Sequence, residues 1–166
     1  MSQSVIPVLP VHQLKIMLVE PEIPQNTGNI ARLCAVTGTE LHIVRPMGYF
    51  LSEKHLKRSG MDYWGRVRLT MHDDLPAARS VLLGQPYWLT SARSGKSMWE
   101  AEFEHNCWII IGRETKGLPE EWLREEAART VTIPQVQGER CLNQATAAGI
   151  VLFEALRRQV YSTVKV

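Results

Sequence analysis

Apolar and polar positions fall in blocks along this chain, and the length and period of each block predict its element. "LKIMLVE" (residues 14–20) is a short apolar run closed by Pro21, and it reads as a buried strand. The next stretch, "PEIPQNTGNIARLCAVTG" (21–38), changes period. Ile30, Leu33 and Cys34 fall on one helical face, Asn26 or Thr27 offers an N-cap, and Gly38 supplies the stop. "ELHIVRP" returns as a strand ended by Pro46. The charged stretch "LSEKHLKRSGMDYWGRVRLT" predicts a short helix capped by Ser52, a glycine turn and a strand near Arg66 to Thr70. "DDLPAARSVLL" predicts a helix with Pro76 in its first turn, the one place a helix tolerates it. "YWLTS" and "CWIII" are strands, "EEWLREEAA" a helix and "RTVTI" a strand. The last helix runs from about Leu142 to Val160, with Ala148, Val151, Leu152, Ala155 and Leu156 along one side.

Strands alternating with helices predict a mostly parallel sheet covered on both faces, an α/β fold. Ligands in such folds sit at the carboxyl ends of strands. Three polar loops here follow strands in that way: the 21–38 motif, "IGRETKGLP" and "IPQVQGERCLN". At 166 residues the chain suits one domain, read as residues 14–166 behind an N-terminal extension, 1–13, whose prolines predict a loose, flexible lead-in.

Composition narrows the class. Hydrophobic residues make up 45% and charged residues 22%, and no apolar run approaches the roughly 20 residues of a membrane helix. No membrane partner is expected, and "MSQSVIPVLPVHQ" lacks the basic and apolar regions of a secretory signal. Three cysteines, never in CxxC spacing, point to neither a disulfide framework nor a zinc site, and the expected compartment is the cytoplasm. His42, His55, His72 and His105 show no ligand spacing, so no metal is assigned.

Two familiar phosphate motifs are excluded. "GRETKG" has the spacing of a P-loop, but Leu118 and Pro119 stand where Lys and Ser or Thr are required, and no GxGxxG is present. In the 21–38 motif, Asn26, Asn29 and Arg32 recur at i, i+3 and i+6, sharing roughly one helix face near an N-terminus that favours anions. A plain capped turn with a solvated arginine explains the same residues, and both readings stand at this point. The net charge of +2 decides nothing about nucleic acid, but its distribution does more. Lys54, Lys57, Arg58, Arg66 and Arg68 are placed to neutralise phosphates, with Tyr49, Phe50, Tyr63 and Trp64 among them to stack on unpaired bases. A solvated helix is the alternative; the interleaving favours RNA.

Three segments taken together, "EPEIPQNTGNIARLCAVTGTELHIVRPMGY" with "KHLKRSGMDYW", "IIGRETKGLP" and "IPQVQGERCLNQATAAGIVLFEALRR", resemble the SPOUT-class RNA ribose 2'-O-methyltransferases of the TrmL (YibK) type. The similarity runs from about Lys15 to Arg158. It implies an α/β fold with a trefoil knot in the C-terminal half, a homodimer, and S-adenosyl-L-methionine held by backbone groups of Leu89, Gly112, Ile133, Cys141 and Leu142. The implied substrate is tRNA, methylated on the ribose of the wobble nucleotide (position 34), a cytidine or modified uridine, in tRNAs such as those for leucine. Arg32 matches the arginine credited with activating the hydroxyl. Asn26 and Asn29 would orient Arg32 and the ribose, and Glu114 and Arg140 would organise their loops. The chain departs from the pattern R-S-L-N-x-S-N-A at "RCLNQATA": Cys141 replaces a serine and Ala145-Thr146 replaces Ser-Asn, while Asn143 is kept. Two alternatives therefore accompany the enzyme reading: an RNA-binding relative with weak or no catalysis, and a methyltransferase for another tRNA or rRNA site.

Overall fold

The computed structural model describes residues 8–50 and 63–162, with side chains as far as Gln159. Its strands are β1 (Lys15–Val19), β2 (Glu40–Val44), β3 (Leu69–His72), β4 (Tyr87–Thr90), β5 (Lys96–Ser97), β6 (Trp108–Ile111) and β7 (Thr130–Thr132). They form one sheet in the order β3-β2-β1-β6-β4-β7-β5, with every pairing parallel. The helices are α1 (Pro24–Thr37), α2 (Leu75–Ser80), α3 (Glu120–Glu125) and α4 (Gln144–Ser162).

Strand alternation divides the core between the two faces of the sheet. Ile16 and Leu18 of β1, Leu41 and Ile43 of β2, and Ile109 and Ile111 of β6 pack with Ile30, Ala31 and Cys34 of α1 and with Ala148, Val151, Leu152, Ala155 and Leu156 of α4. The intervening residues Met17, Val19, Val44, Trp108 and Ile110 pack on the other face against Ala78 of α2 and Trp122 of α3. Both faces being covered, the central strands are apolar throughout, which is why "CWIII" shows no alternation. Because all strands run the same way, the loops after β1, β6 and β7 emerge at one end of the sheet. β7 lies between β4 and β5, so the last crossover returns the chain into the sheet beside earlier strands.

Most predicted elements are found within a residue or two, and the departures have physical reasons. The expected cap of α1 by Asn26 or Thr27 is corrected. Pro24 is in the first helical turn, Ile23 is the N-cap without a side-chain bond, and both candidate caps lie inside the helix. The C-terminal reading holds: Gly38 is left-handed at φ 74°, with its N–H on the Cys34 carbonyl. The strand expected near Arg66 starts at Leu69, because Trp64–Arg66 closes a 3-10 turn with Arg66 N–H on the Tyr63 carbonyl at 2.9 Å. α3 ends at Glu125, and Ala127–Arg129 tightens into a second such turn before β7. β5, two residues long, carries no periodicity from which it could be predicted. The helix expected after Ser52 lies outside the described residues. Of the N-terminal extension, His12 is buried and its Nε2 lies 2.8 Å from the Thr37 carbonyl, while Val8 and Val11 are exposed.

Candidate active site

The three polar loops meet at the carboxyl end of the sheet, and Glu114 is the group that joins them. Its carboxylate accepts from Glu22 N–H (2.8 Å), Ile23 N–H (3.2 Å) and the Asn26 amide nitrogen (3.1 Å). A carboxylate here satisfies the two backbone donors that lead into α1, Ile23 being its N-cap, and complements the helix dipole. In return, the Glu22 carboxylate accepts from Thr115 N–H (3.0 Å) and the Thr115 hydroxyl (2.8 Å). Asn26 Oδ1 then accepts from Asn143 Nδ2 at 2.9 Å, and Asn143 Oδ1 caps α4 by accepting from Ala145 and Thr146 N–H. Arg113 forms an ion pair with Glu20, which sits at φ 50° just past β1. That left-handed conformation costs a non-glycine residue about 1–2 kcal/mol.

The middle loop is held closed by its own backbone. Arg113 and Gly117 exchange hydrogen bonds at 2.9 and 3.2 Å, with Gly117 at φ 73°. A Cβ on Gly112 would lie 2.2 Å from Gly117 C and Leu118 N, so only glycine allows the loop to fold back on itself.

These loops surround a cleft of about 780 Å³. Of the five residues expected at the cofactor, Gly112, Ile133, Cys141 and Leu142 line it; Leu89 is fully buried, and its neighbour Thr90 lines the cleft in its place. Asn26 lines it as well. Ile111, Val131, Ala147 and Val151 give part of the wall an apolar character, and five cations stand against two carboxylates along the lining: Arg93, Lys96, Arg113, Lys116 and Arg124 against Glu114 and Glu120. Cleft residues absent from the sequence analysis include Lys116 and Gln144, within or beside two of the three polar loops, and Arg93, which comes from a fourth loop, between β4 and β5.

The face shared by Asn26, Asn29 and Arg32 is divided in the structure. Asn26 is 4% exposed and committed to Glu114 and Asn143, whereas Asn29 and Arg32 are exposed and are not among the residues lining the cleft. The Arg32 guanidinium lies 5.7 Å from the centre of the Tyr63 ring, and the Tyr63 hydroxyl donates to the Gly28 carbonyl at 2.9 Å. Tyr49 donates to the Thr27 hydroxyl, and burial pushes its own hydroxyl pKa up to about 12. Tyr49 and Tyr63, expected to stack on bases, thus fasten α1; Phe50 is exposed. Arg66 is exposed in the turn beside α1, while Arg68 binds Glu40 at 3.3 Å and the Gly38 carbonyl. Lys54, Lys57 and Arg58 lie outside the described residues. Arg140 is exposed in the last loop.

The pairing of β2 with β3 creates one cluster that linear spacing cannot reveal. His42 Nδ1 lies 2.9 Å from His72 Nε2, and the His42 ring rests 4.5 Å from that of Trp108. Burial, and then the His72 neighbour, lower the His42 pKa to about 4. Among the described residues, no group of three or more His, Cys, Asp and Glu side chains is arranged to hold a metal, and no helix is long and apolar enough to cross a membrane.

Comparison with known proteins gives this geometry a family. Residues 13–153 match the SpoU rRNA Methylase family. A protein of Methylovorus glucosotrophus named tRNA (cytidine(34)-2'-O)-methyltransferase is 37% identical over 149 residues, covering 89% of this chain and 96% of that one. A solved structure from work on "the 2-OH methylation of C/U34 on tRNA" is 42% identical with a TM-score of 0.82, covering 90% of this chain and 98% of the other. At the level of fold, AviRb from Streptomyces viridochromogenes, in complex with the cofactor AdoMet, aligns with a TM-score of 0.76 at 24% identity, over 92% of this chain and 64% of that one. With its parallel α/β sheet, its three interlocked loops and these relatives, the chain belongs to the SpoU rRNA methylase family.

Proposed function

We propose that this protein is an S-adenosyl-L-methionine-dependent tRNA 2'-O-methyltransferase acting on the ribose of nucleotide 34, a cytidine or modified uridine. The observation that carries the reading is the junction of the three loops at Glu114, Asn26 and Asn143, beside a cleft of cofactor size and within a family whose similar members bear this activity in their names. The cleft fits the cofactor: an apolar wall for a base, backbone groups of Gly112, Ile133, Cys141 and Leu142 to hold it, and a buried acceptor on Gln144 without a partner. When bound, S-adenosylmethionine supplies an electrophilic methyl group.

The protein's own contribution is largely positioning and charge. A ribose hydroxyl is a weak nucleophile, and the Arg32 guanidinium stays protonated in proteins, so its role is to bind phosphate and stabilise developing alkoxide charge rather than to remove the proton. Asn29, one turn earlier on the exposed side of α1, orients the ribose. Asn26 acts one step back, holding α1 against the cofactor loops. S-adenosylmethionine carries a net positive charge, so the surplus of cations along the cleft suits the phosphates of RNA better than the cofactor. Arg66, exposed in the turn beside α1, is assigned to the RNA as well, as are Arg68 and, outside the described residues, Lys54, Lys57 and Arg58.

The working unit we propose is a homodimer in the cytoplasm. Val36 on α1 and Phe153 on α4 are 74% and 50% exposed, and Asn29 and Arg32 stand outside their own cleft, an arrangement that a second copy would complete. The last loop passing the Gly112 segment, with β7 inserted between β4 and β5, supports the trefoil knot. Residues 14–166 serve as one catalytic domain and 1–13 as an extension of it.

Incubation with labelled S-adenosylmethionine and unmodified leucine tRNAs, followed by mass-spectrometric mapping, should place a methyl group on the ribose of nucleotide 34. A folded dimer that leaves this nucleotide unmethylated would overturn the proposal, and a methyl group elsewhere would reassign the target. The Cys141 and Ala145-Thr146 departures favour the second reading, an RNA-binding relative with weak catalysis. Calorimetry separates the two, since that reading requires tRNA binding without cofactor binding. The cap of α4 survives the departures, because Asn143 alone supplies it.

A further inference from the structure

The amide of Gln144 is only half used. Gln144 opens α4 and is 9% exposed. Its Nε2 donates to the Gly112 carbonyl at 2.8 Å, and because that carbonyl can only accept, the orientation of the amide is fixed. Oε1 is then left buried with no hydrogen-bond partner. Among the described residues that line the cleft, no other has a buried side-chain polar atom in this condition. A buried acceptor without a donor is destabilising, and native structures rarely keep one without a reason. Here the reason fits a ligand, because Gln144 belongs to the cleft wall itself.

The surroundings select the kind of donor. Ile111, Val131, Ile133, Leu142, Ala147 and Val151 line the same cleft. This apolar stretch of the wall, with its one unpaired neutral acceptor, suits a flat base bearing an amino group. It suits an ammonium group poorly, since a buried cation requires an opposite charge or several acceptors. We propose that the side-chain carbonyl of Gln144 accepts a hydrogen bond from the exocyclic amino group of the cofactor's adenine, making Gln144 a determinant of base specificity. The assignment rests on the cofactor reading above, and Nε2 keeps its bond to Gly112 throughout.

The test compares S-adenosylhomocysteine with its inosine counterpart, in which a carbonyl replaces the amino group, by calorimetry on the full chain. Wild type is expected to prefer the adenine compound by about tenfold or more, since a site built around a hydrogen bond rejects the analogue that cannot make it. Gln144→Leu is expected to bind the two compounds with similar affinity, with its fold checked by circular dichroism. Should that variant not fold, Gln144→Met, closer in length, takes its place. Equal affinities in wild type would overturn the assignment. So would a variant whose two affinities fall in step with the preference kept, since that is the signature of a residue that merely anchors Gly112. If wild type binds neither compound, the cofactor reading itself fails and this assignment goes with it; methyl transfer need not be measured in any arm.

Discussion

A single side chain, Arg32, separates binding from chemistry in the proposed reaction. It is exposed, lies 5.7 Å from the Tyr63 ring and does not line the cleft. Arg32→Ala is therefore expected to leave the melting temperature and cofactor affinity near wild type while lowering kcat about a hundredfold or more, the usual scale for losing one charge-stabilising group. Methyl transfer at the wild-type rate would remove Arg32 from the reaction. The cysteines divide in a similar way. Burial pushes Cys34 and Cys107 up to about 12, so neither thiol ionises near neutrality, whereas Cys141 is exposed on the cleft. Iodoacetamide at neutral pH should label Cys141 alone, and saturating S-adenosylmethionine should slow that labelling. Labelling that the cofactor does not affect would place it away from Cys141. The sequence made the residue types legible here but not their allegiances. Asn26 and Asn29 look alike in the motif, yet only one faces a carboxylate that lies 88 residues further along the chain.

At the scale of elements, the start of α1 shows why local reading stopped short. Caps are sought within a few residues of a helix, and Asn26 and Thr27 were the candidates in range; Glu114 supplies the acceptor from another loop. Glu114→Ala strands two backbone N–H groups and an amide, and should cost about 2–3 kcal/mol. Glu114→Gln, which keeps one acceptor oxygen, should recover part of this. Urea midpoints measure both, and an unchanged midpoint in the alanine variant would refute the capping role. β2 and β3 make a second prediction. His42 is held neutral in the fold with its pKa lowered to about 4 from 6.5, and burial also lowers the pKa of His72. The unfolded chain therefore binds more protons than the folded one between those values, so stability falls as pH drops from about 6.5 towards 4. His42→Gln should show a smaller difference in melting temperature between pH 7.5 and pH 5 than wild type does. An equal difference would place the acid sensitivity elsewhere. Paired histidines of this kind arise from strand register, His42 lying opposite Thr70 and Val44 opposite His72, and nothing in the spacing along the chain announces them.

For the whole molecule, the block pattern of the sequence carried the architecture well, because apolar strand runs and amphipathic helices are local features. The order of strands, the two-residue β5 and the contents of the cleft depend on contacts between distant segments. Charge behaves in the same way. A net +2 over the chain conceals the five cations and two carboxylates gathered at one cleft. Affinity for tRNA should consequently fall about tenfold or more between 50 and 200 mM salt, through release of counterions. Affinity for the positively charged cofactor should change little. Equal salt dependence for the two ligands would show that the cleft cations are not devoted to RNA. The Glu22–Thr115 and Glu114–Asn26 bonds impose an order on events during synthesis. When the ribosome has delivered α1, the carboxylate that caps it has not yet been made. The last tie, Asn143 to Asn26, becomes available only as α4 begins to emerge. α1 and α4 thus become a working pair only once both have emerged, and a chain cut short before residue 143 holds every residue of α1 without the site to which α1 belongs.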